Sequence, residues 1–146
     1  MPNTRYLLIA GGVITALISL LHVLLAVKPE LYRYFGPGQA SALAQRAVEG
    51  SRGTTIATVV LVVVFAVWAA YAFSGAGLIG ALPLLRTALI GIGVIYILRS
   101  LFVLSEMKMV LTQGYPFRFV VFSTISLIAG LLYLIGTLTL RQHNGP

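Results

Sequence analysis

Four long runs of apolar residues dominate the chain, and short polar or turn-forming stretches separate them. The runs cover residues 6–27, 54–73, 84–105 and 117–140. A helix rises about 1.5 Å per residue, so about 20 apolar residues span a hydrocarbon core of about 30 Å. The pattern therefore predicts an all-α membrane protein, a single transmembrane domain built as a four-transmembrane-helix bundle.

The first run has to be distinguished from a secretory signal peptide, because Arg5 precedes it. A signal peptide has an apolar core of roughly 7–15 residues, which the run 6–27 exceeds. No small-x-small cleavage site precedes Lys28. We therefore predict that this segment is a retained transmembrane helix.

The connection 28–53 separates the first two runs and is the longest of the three connections. Its start, Lys-Pro-Glu-Leu-Tyr-Arg-Tyr-Phe-Gly over 28–36, mixes charged and aromatic residues as interfacial segments do. Pro29 disfavours helical backbone at Lys28. Residues 39–49 mix apolar and polar positions and are followed by Gly50, which predicts a short surface helix in this connection.

Small and polar residues recur at helical spacing within the spans and predict the faces that pack together. Gly91 and Gly93 in the third span indicate close approach of a neighbouring backbone. One stripe in the first span consists of Gly11, Thr15, Ser19 and His22. One stripe in the fourth span consists of Ser123, Ser126, Gly130, Tyr133 and Thr137.

Arg99 lies inside the third apolar run, and this position needs a physical explanation. A charged side chain at the centre of a span costs about 2.5–3.5 kcal/mol on insertion scales. Such a residue normally faces a bundle interior, a wet cavity or a partner. Glu106 follows Arg99 by two helical turns and shares its face. We predict that the third span ends near Ser105 and that residues 106–116 form a polar connection.

The other three spans each place a polar residue at the depth of Arg99, about 6–9 Å below one membrane surface by helical rise. Glu30 lies in the long connection at that surface. The candidate ligand-binding side chains are therefore Arg99, His22, Thr58, Ser123, Ser19, Ser126, Glu106 and Glu30.

Two interpretations of this layer remain open. In the first, Arg99 and His22 line a pocket that holds the polar or anionic head of an amphiphilic molecule. In the second, Arg99 reaches the headgroups or pairs with Glu106 or Glu30, and His22 is a satisfied hydrogen-bonding residue.

Composition supports the membrane assignment and narrows the chemistry. The chain is 59% hydrophobic and 9% charged, with a mean hydropathy of +1.00. Its net charge of +7 is not concentrated in a basic block, so we expect anionic lipid headgroups as partners and no nucleic acid. There is no cysteine and no recognisable nucleophile motif, so no catalytic residue, metal or cofactor is predicted.

Several stretches resemble an uncharacterised family of small bacterial four-helix inner-membrane proteins. They are 28–36, Leu-Pro-Leu-Leu-Arg over 82–86, Ile-Tyr-Ile-Leu-Arg over 95–99, and Ser-Leu-Ile-Ala-Gly-Leu-Leu-Tyr-Leu-Ile-Gly over 126–136. The resemblance implies the fold and the compartment but no activity. The long first connection and brief second one are also loosely similar to DoxX-like tetraspan proteins, which implies architecture only.

The expected function is a non-enzymatic integral membrane protein that binds membrane lipid or an amphiphilic small molecule at the polar layer. One alternative is an accessory subunit whose glycine-bearing faces bind a partner membrane protein or form a homo-oligomer. A second alternative is a small four-helix enzyme of the glutathione-handling type. The Arg/Asn/Glu signature of those enzymes has no counterpart in the second span, since residues 54–73 contain no charged residue.

Overall fold

A computed structural model describes residues 2–35, 46 and 49–140 of the chain. Within these residues there are helices and turns but no β-strand. Four helical segments are long and apolar enough to cross a membrane, namely Thr4–Val27, Arg52–Gly75, Leu85–Gln113 and Arg118–Leu140. The predicted all-α class with four spans is confirmed, and the protein is a multi-pass membrane protein by the length and composition of these helices.

The first helix, α1, covers Pro2–Val27. It ends before Lys28, whose backbone leaves the helical region at φ −125° and ψ 81°, as Pro29 predicts. A short 3₁₀ helix, Pro29–Leu31, and helix α2, Tyr32–Phe35, follow. The predicted surface helix over 39–49 falls largely outside the described residues.

The second span is helix α3, Arg52–Gly75, which extends the predicted run 54–73 at both ends. The fourth span is helix α6, Arg118–Leu140, which matches the predicted 117–140 closely. The five residues of its predicted polar stripe are all buried. The prediction that this stripe faces the protein interior is therefore confirmed.

The third span differs from its prediction. Helix α4, Leu85–Ser100, is followed after Leu101 by helix α5, Phe102–Gln113, which ends at Gly114 with φ +64°. The helix therefore continues past the predicted end of the span near Ser105 and through most of the predicted polar connection 106–116, to Gln113. Isolated polar residues do not break a helix, and α5 turns the apolar side chains of Leu104 and Leu111 outward.

The junction between α4 and α5 is a tightened turn. The Leu101 N–H donates to the Leu98 carbonyl at 3.3 Å, and the Leu104 N–H donates to the Leu101 carbonyl at 3.4 Å. The Ser100 hydroxyl donates to the Ile97 carbonyl at 2.6 Å and competes with the backbone for that acceptor. Backbone hydrogen bonds from residue i+3 to residue i are typical of a local 3₁₀ segment within a longer helix.

The chain forms two compact units. One unit comprises Thr15–Val67, and the other comprises Met1–Ile14 with Trp68–Pro146. Both α1 and α3 contribute residues to each unit. We call the first the Thr15 unit and the second the Arg99 unit and describe each by itself.

Helices α4 and α6 approach closely in the Arg99 unit, at Gly93 and Gly130. A Cβ atom added at Gly130 would lie 3.0 Å from the Gly93 carbonyl oxygen, and one added at Gly93 would lie 2.7 Å from Leu134 Cγ. Close backbone approach at glycine is therefore confirmed for Gly93. It is wrong for Gly91, where an added Cβ meets no heavy atom within 4 Å in the described part of the chain.

An aromatic cluster lies in the same unit. The Tyr133 hydroxyl donates to the Trp68 carbonyl at 3.0 Å, and the Tyr133 side chain is completely buried. The Tyr96 ring packs edge-on against Trp68 at 5.4 Å and lies 5.9 Å from the Tyr133 ring. Gly11 of α1 leaves room for the Tyr133 ring, which would lie 3.1 Å from an added Cβ.

Candidate functional site

Arg99, Glu106 and Ser123 come together in the Arg99 unit, one from each of α4, α5 and α6. Arg99 Nη1 donates to Ser123 Oγ at 2.8 Å, and Ser123 Oγ donates to Glu106 Oε2 at 2.5 Å. Arg99 Nη1 lies 3.8 Å from Glu106 Oε1. We call these three residues the Arg99 cluster.

The serine hydroxyl is the link between the two charged side chains. Two helical turns separate Arg99 from Glu106, which places them on one face, about 10 Å apart along a regular helix axis. Ser123 lies between the two charged groups, accepting from the guanidinium and donating to the carboxylate. Hydrogen bonds to ionised groups are roughly twice as strong as neutral ones, so this bridge fixes both side chains.

Burial falls steadily across the cluster. Ser123 is completely buried, the Glu106 side chain is 12% exposed, and the Arg99 side chain is 43% exposed. The Arg99 guanidinium carbon lies 5.6 Å from the centre of the Phe102 ring, within the range of a cation–π contact. The cluster therefore has an anchored inner end and an accessible outer end.

The surface beside Arg99 is apolar. Phe102, which contacts the guanidinium, is 60% exposed. Ile95, one helical turn before Arg99 on the same face, is 49% exposed. In a transmembrane segment such a surface meets acyl chains, so a half-exposed guanidinium here is a polar point on a lipid-facing surface.

Thr58 and Tyr32 form a second polar contact, in the Thr15 unit. The Thr58 hydroxyl donates to the Thr54 carbonyl at 2.8 Å, which uses its only hydrogen. In the contact between Tyr32 and Thr58 the tyrosine is therefore the donor. This bond ties α2 to α3 beside a small, open cleft. The cleft is lined by Leu25, Ala26, Pro29, Tyr32, Thr54, Thr55 and Thr58.

The other predicted residues of the Thr15 unit have structural contacts. Ser19 donates to the Val62 carbonyl at 2.9 Å and links α1 to α3. His22 Nδ1 lies 2.8 Å from the Ile18 carbonyl, which can only accept, so this nitrogen holds a proton. The His22 ring packs against Phe65 at 5.0 Å. Glu30 is exposed in the 3₁₀ helix.

Ser126, the remaining predicted residue, donates to the Phe122 carbonyl of its own helix at 3.1 Å. Of the eight candidates, the structure brings Arg99, Glu106 and Ser123 into one cluster. A pocket shared by Arg99 and His22 stays a prediction, because the two residues belong to different units. Tyr32 and Phe102 are not among the residues predicted from the sequence, although the spacing of Phe102, three positions after Arg99 on a helix, is a usable signal.

Replacing Tyr32 with phenylalanine is expected to lower the free energy of unfolding by about 1 kcal/mol, because one buried hydrogen bond is lost and the ring is kept. Tyr6→Phe is the matched control, since Tyr6 is 65% exposed. Denaturant titration in detergent micelles measures the free energy of unfolding of both variants. Equal effects at the two positions would contradict a role for the Tyr32–Thr58 bond.

The described residues contain no group of three histidine, cysteine or acidic side chains arranged to hold a metal ion. No protein-family model, curated protein or solved structure matches the chain. The feature of the described residues that bears on function is therefore the geometry of the Arg99 cluster.

Proposed function

We propose that this protein is a non-enzymatic, multi-pass protein of a bacterial inner membrane that accommodates a lipid-like or other amphiphilic molecule at the Arg99 cluster. The observation that supports it is a guanidinium that is bonded to a fully buried serine at one end and is 43% exposed within an apolar surface. The ligand head meets Arg99, and its apolar body lies along the neighbouring exposed side chains of Phe102 and Ile95.

The electrostatics of the cluster favour a bound partner. Glu106 is the only acidic residue in the sequence of the Arg99 unit, and its Oε1 lies 3.8 Å from Arg99 Nη1, beyond hydrogen-bonding distance. An exposed guanidinium at this depth is costly unless a polar or anionic group meets it. Arginine suits this role because its planar fork matches carboxylate and phosphate groups.

The position of Ser123 argues against hydrolytic chemistry. Its hydroxyl is completely buried and already donates to Glu106, so a substrate has no access to it. A serine nucleophile needs both a general base and contact with the substrate. Glu106 could serve as the base, but the full burial of Ser123 prevents that contact.

Native mass spectrometry of the detergent-solubilised protein tests the proposal. Arg99→Gln keeps a donor for Ser123 and removes the charge, and we expect at least a tenfold fall in co-purifying lipid, on the order of one lost charged hydrogen bond. Arg86→Gln is the matched control, since Arg86 is exposed in the first turn of the same helix. Its lipid content should equal that of the wild type.

Two outcomes would replace the proposal. Unchanged lipid together with altered association, seen as a shift in oligomer mass or loss of a co-purifying membrane protein, favours an accessory subunit. A rise in thermal stability on adding glutathione favours the enzyme alternative.

A further inference from the structure

We infer that the Arg99 cluster selects an amphiphile with a zwitterionic head, in which an anionic group lies next to a protonated amine that bears N–H donors. A phospholipid with a phosphoethanolamine head has this chemistry. The inference rests on the proposed function and deepens it by naming the ligand class.

Arg99 leaves most of its hydrogen-bond donors open. A guanidinium has five N–H donors, and Arg99 uses one of them, on Nη1, to bond Ser123. Within the part of the chain that the structure describes, its other contacts are the 3.8 Å approach to Glu106 and the Phe102 ring. Nε and Nη2 therefore remain for a ligand anion, and a phosphodiester or carboxylate can accept from both at once.

Glu106 leaves one of its carboxylate oxygens open as a hydrogen-bond acceptor. Glu106 Oε2 accepts from Ser123, whereas Oε1 accepts no hydrogen bond from a described residue. The side chain keeps 12% of its surface exposed, so a ligand donor can reach it. A largely buried carboxylate oxygen is stabilised most by a charged donor, which a ligand ammonium supplies.

The charge of the cluster as a whole also limits the ligand head. Arg99 and Glu106 together are neutral, so a purely anionic head would gain Arg99 but place a second negative charge beside Glu106. A purely cationic head would meet the reverse penalty. A head with both charges places its anion on Arg99 and its amine on Glu106, and each charge meets its opposite.

The apolar surroundings commit the ligand to a lipid. Phe102, whose ring centre lies 5.6 Å from the guanidinium carbon, is 60% exposed, and Ile95, one helical turn before Arg99 on the same face, is 49% exposed. They offer a surface for acyl chains while the head contacts the cluster. A small soluble zwitterion would leave this surface unused.

A headgroup methylation series tests the inference with the wild-type protein. Phosphatidylethanolamine, its mono- and dimethyl derivatives and phosphatidylcholine keep both charges and identical acyl chains but lose N–H donors stepwise. In a native mass spectrometry titration we expect phosphatidylethanolamine to bind at least tenfold tighter than phosphatidylcholine, the size of a charged hydrogen bond. The methylated intermediates should fall between them.

The Glu106→Gln variant locates the effect. It keeps an oxygen for Ser123 and removes the charge, so the preference for phosphatidylethanolamine should fall below threefold while phosphatidylcholine binding stays within twofold. Glu49→Gln is the matched control, because Glu49 is exposed in the Thr15 unit. It should keep the full preference.

The contradicting outcomes separate the two proposals. Equal binding across the series, with every lipid lost in Arg99→Gln, overturns the zwitterion inference and leaves the proposed function standing. Tighter binding of phosphatidylglycerol than of phosphatidylethanolamine overturns it in the same way, since the site then takes a plain anion. Binding that does not depend on Arg99 overturns both. Because the methylation series needs no variant, a misfolded Glu106→Gln protein still leaves the inference open to disproof.

Discussion

Replacing Gly93 with leucine is expected to lower the free energy of unfolding by about 3 kcal/mol, whereas the same change at Gly91 should have almost no effect. At Gly93 an added Cβ would lie 2.7 Å from Leu134 Cγ and 3.3 Å from the Gly130 carbonyl oxygen. The backbone oxygen cannot move without separating α4 from α6, so the overpacking penalty reaches the upper end of its usual range. Gly91 has open space in the described part of the chain.

The two variants are matched in residue type, helix and depth, and they differ only in the face that they occupy. Trp68 is the only tryptophan of the chain and packs against Tyr96 of α4, so its fluorescence reports unfolding of this region during denaturant titration in micelles. Equal destabilisation by both variants would mean that helix propensity or insertion, and not the contact between α4 and α6, sets the effect.

This pair of glycines also shows where prediction from the sequence ends. Residues two apart on a helix point about 200° away from each other, so Gly91 and Gly93 cannot both face α6. The apolar pattern in the third span gives no preferred face, because lipid and protein interior are both apolar. Which glycine contacts a neighbour depends on how the helices pack.

The four spans were predictable because the bilayer demands a minimum length of apolar helix. The end of the third span was not, because Glu106 and Lys108 suggested a polar connection where α5 continues to Gln113. The inward position of Glu106 depends on its partner Ser123, which lies in another helix. As long as its hydrogen-bonding partner in another helix is unknown, a polar residue on a buried helix face suggests a loop.

The Arg99 cluster was partly predictable. Helical spacing placed Arg99 and Glu106 on one face, and counting from the membrane surface placed Ser123 at the same depth. Depth alone cannot say which side chains at one level touch. The serine bridge between the two charges depends on how α6 is rotated about its axis. The stripe of hydroxyl-bearing residues and glycine on that helix indicates which face turns inward but does not fix the exact angle.

Replacing Arg99 with leucine is expected to lower the free energy of unfolding by about 2 kcal/mol. The change leaves Glu106 nearly buried with Ser123 as its single hydrogen-bonding partner among the described residues. Losing one partner of a buried ion pair costs about 3–5 kcal/mol, and the 43% exposure of the Arg99 side chain reduces that figure. Denaturant titration followed by Trp68 fluorescence measures the change.

The double variant Arg99→Leu with Glu106→Leu separates loss of a charge partner from loss of packing. Removing both charges leaves no uncompensated carboxylate, so the double variant should regain about 1.5 kcal/mol relative to Arg99→Leu. Arg86→Leu, in the exposed first turn of α4, is the control and should change the free energy of unfolding by less than about 0.5 kcal/mol.

A double variant less stable than Arg99→Leu would contradict this account. Glu106 would then be stabilised by a contact other than Arg99. The hydrogen bonds of Ser123 to Arg99 and Glu106 would then result from the packing of the helices and would not hold the helices together. Recovery of stability in the double variant, accompanied by loss of bound lipid, would instead show that the charged pair is retained for its ligand. Buried ion pairs are often no more stabilising than apolar residues of similar volume, so binding is the property that distinguishes the natural cluster from the leucine pair.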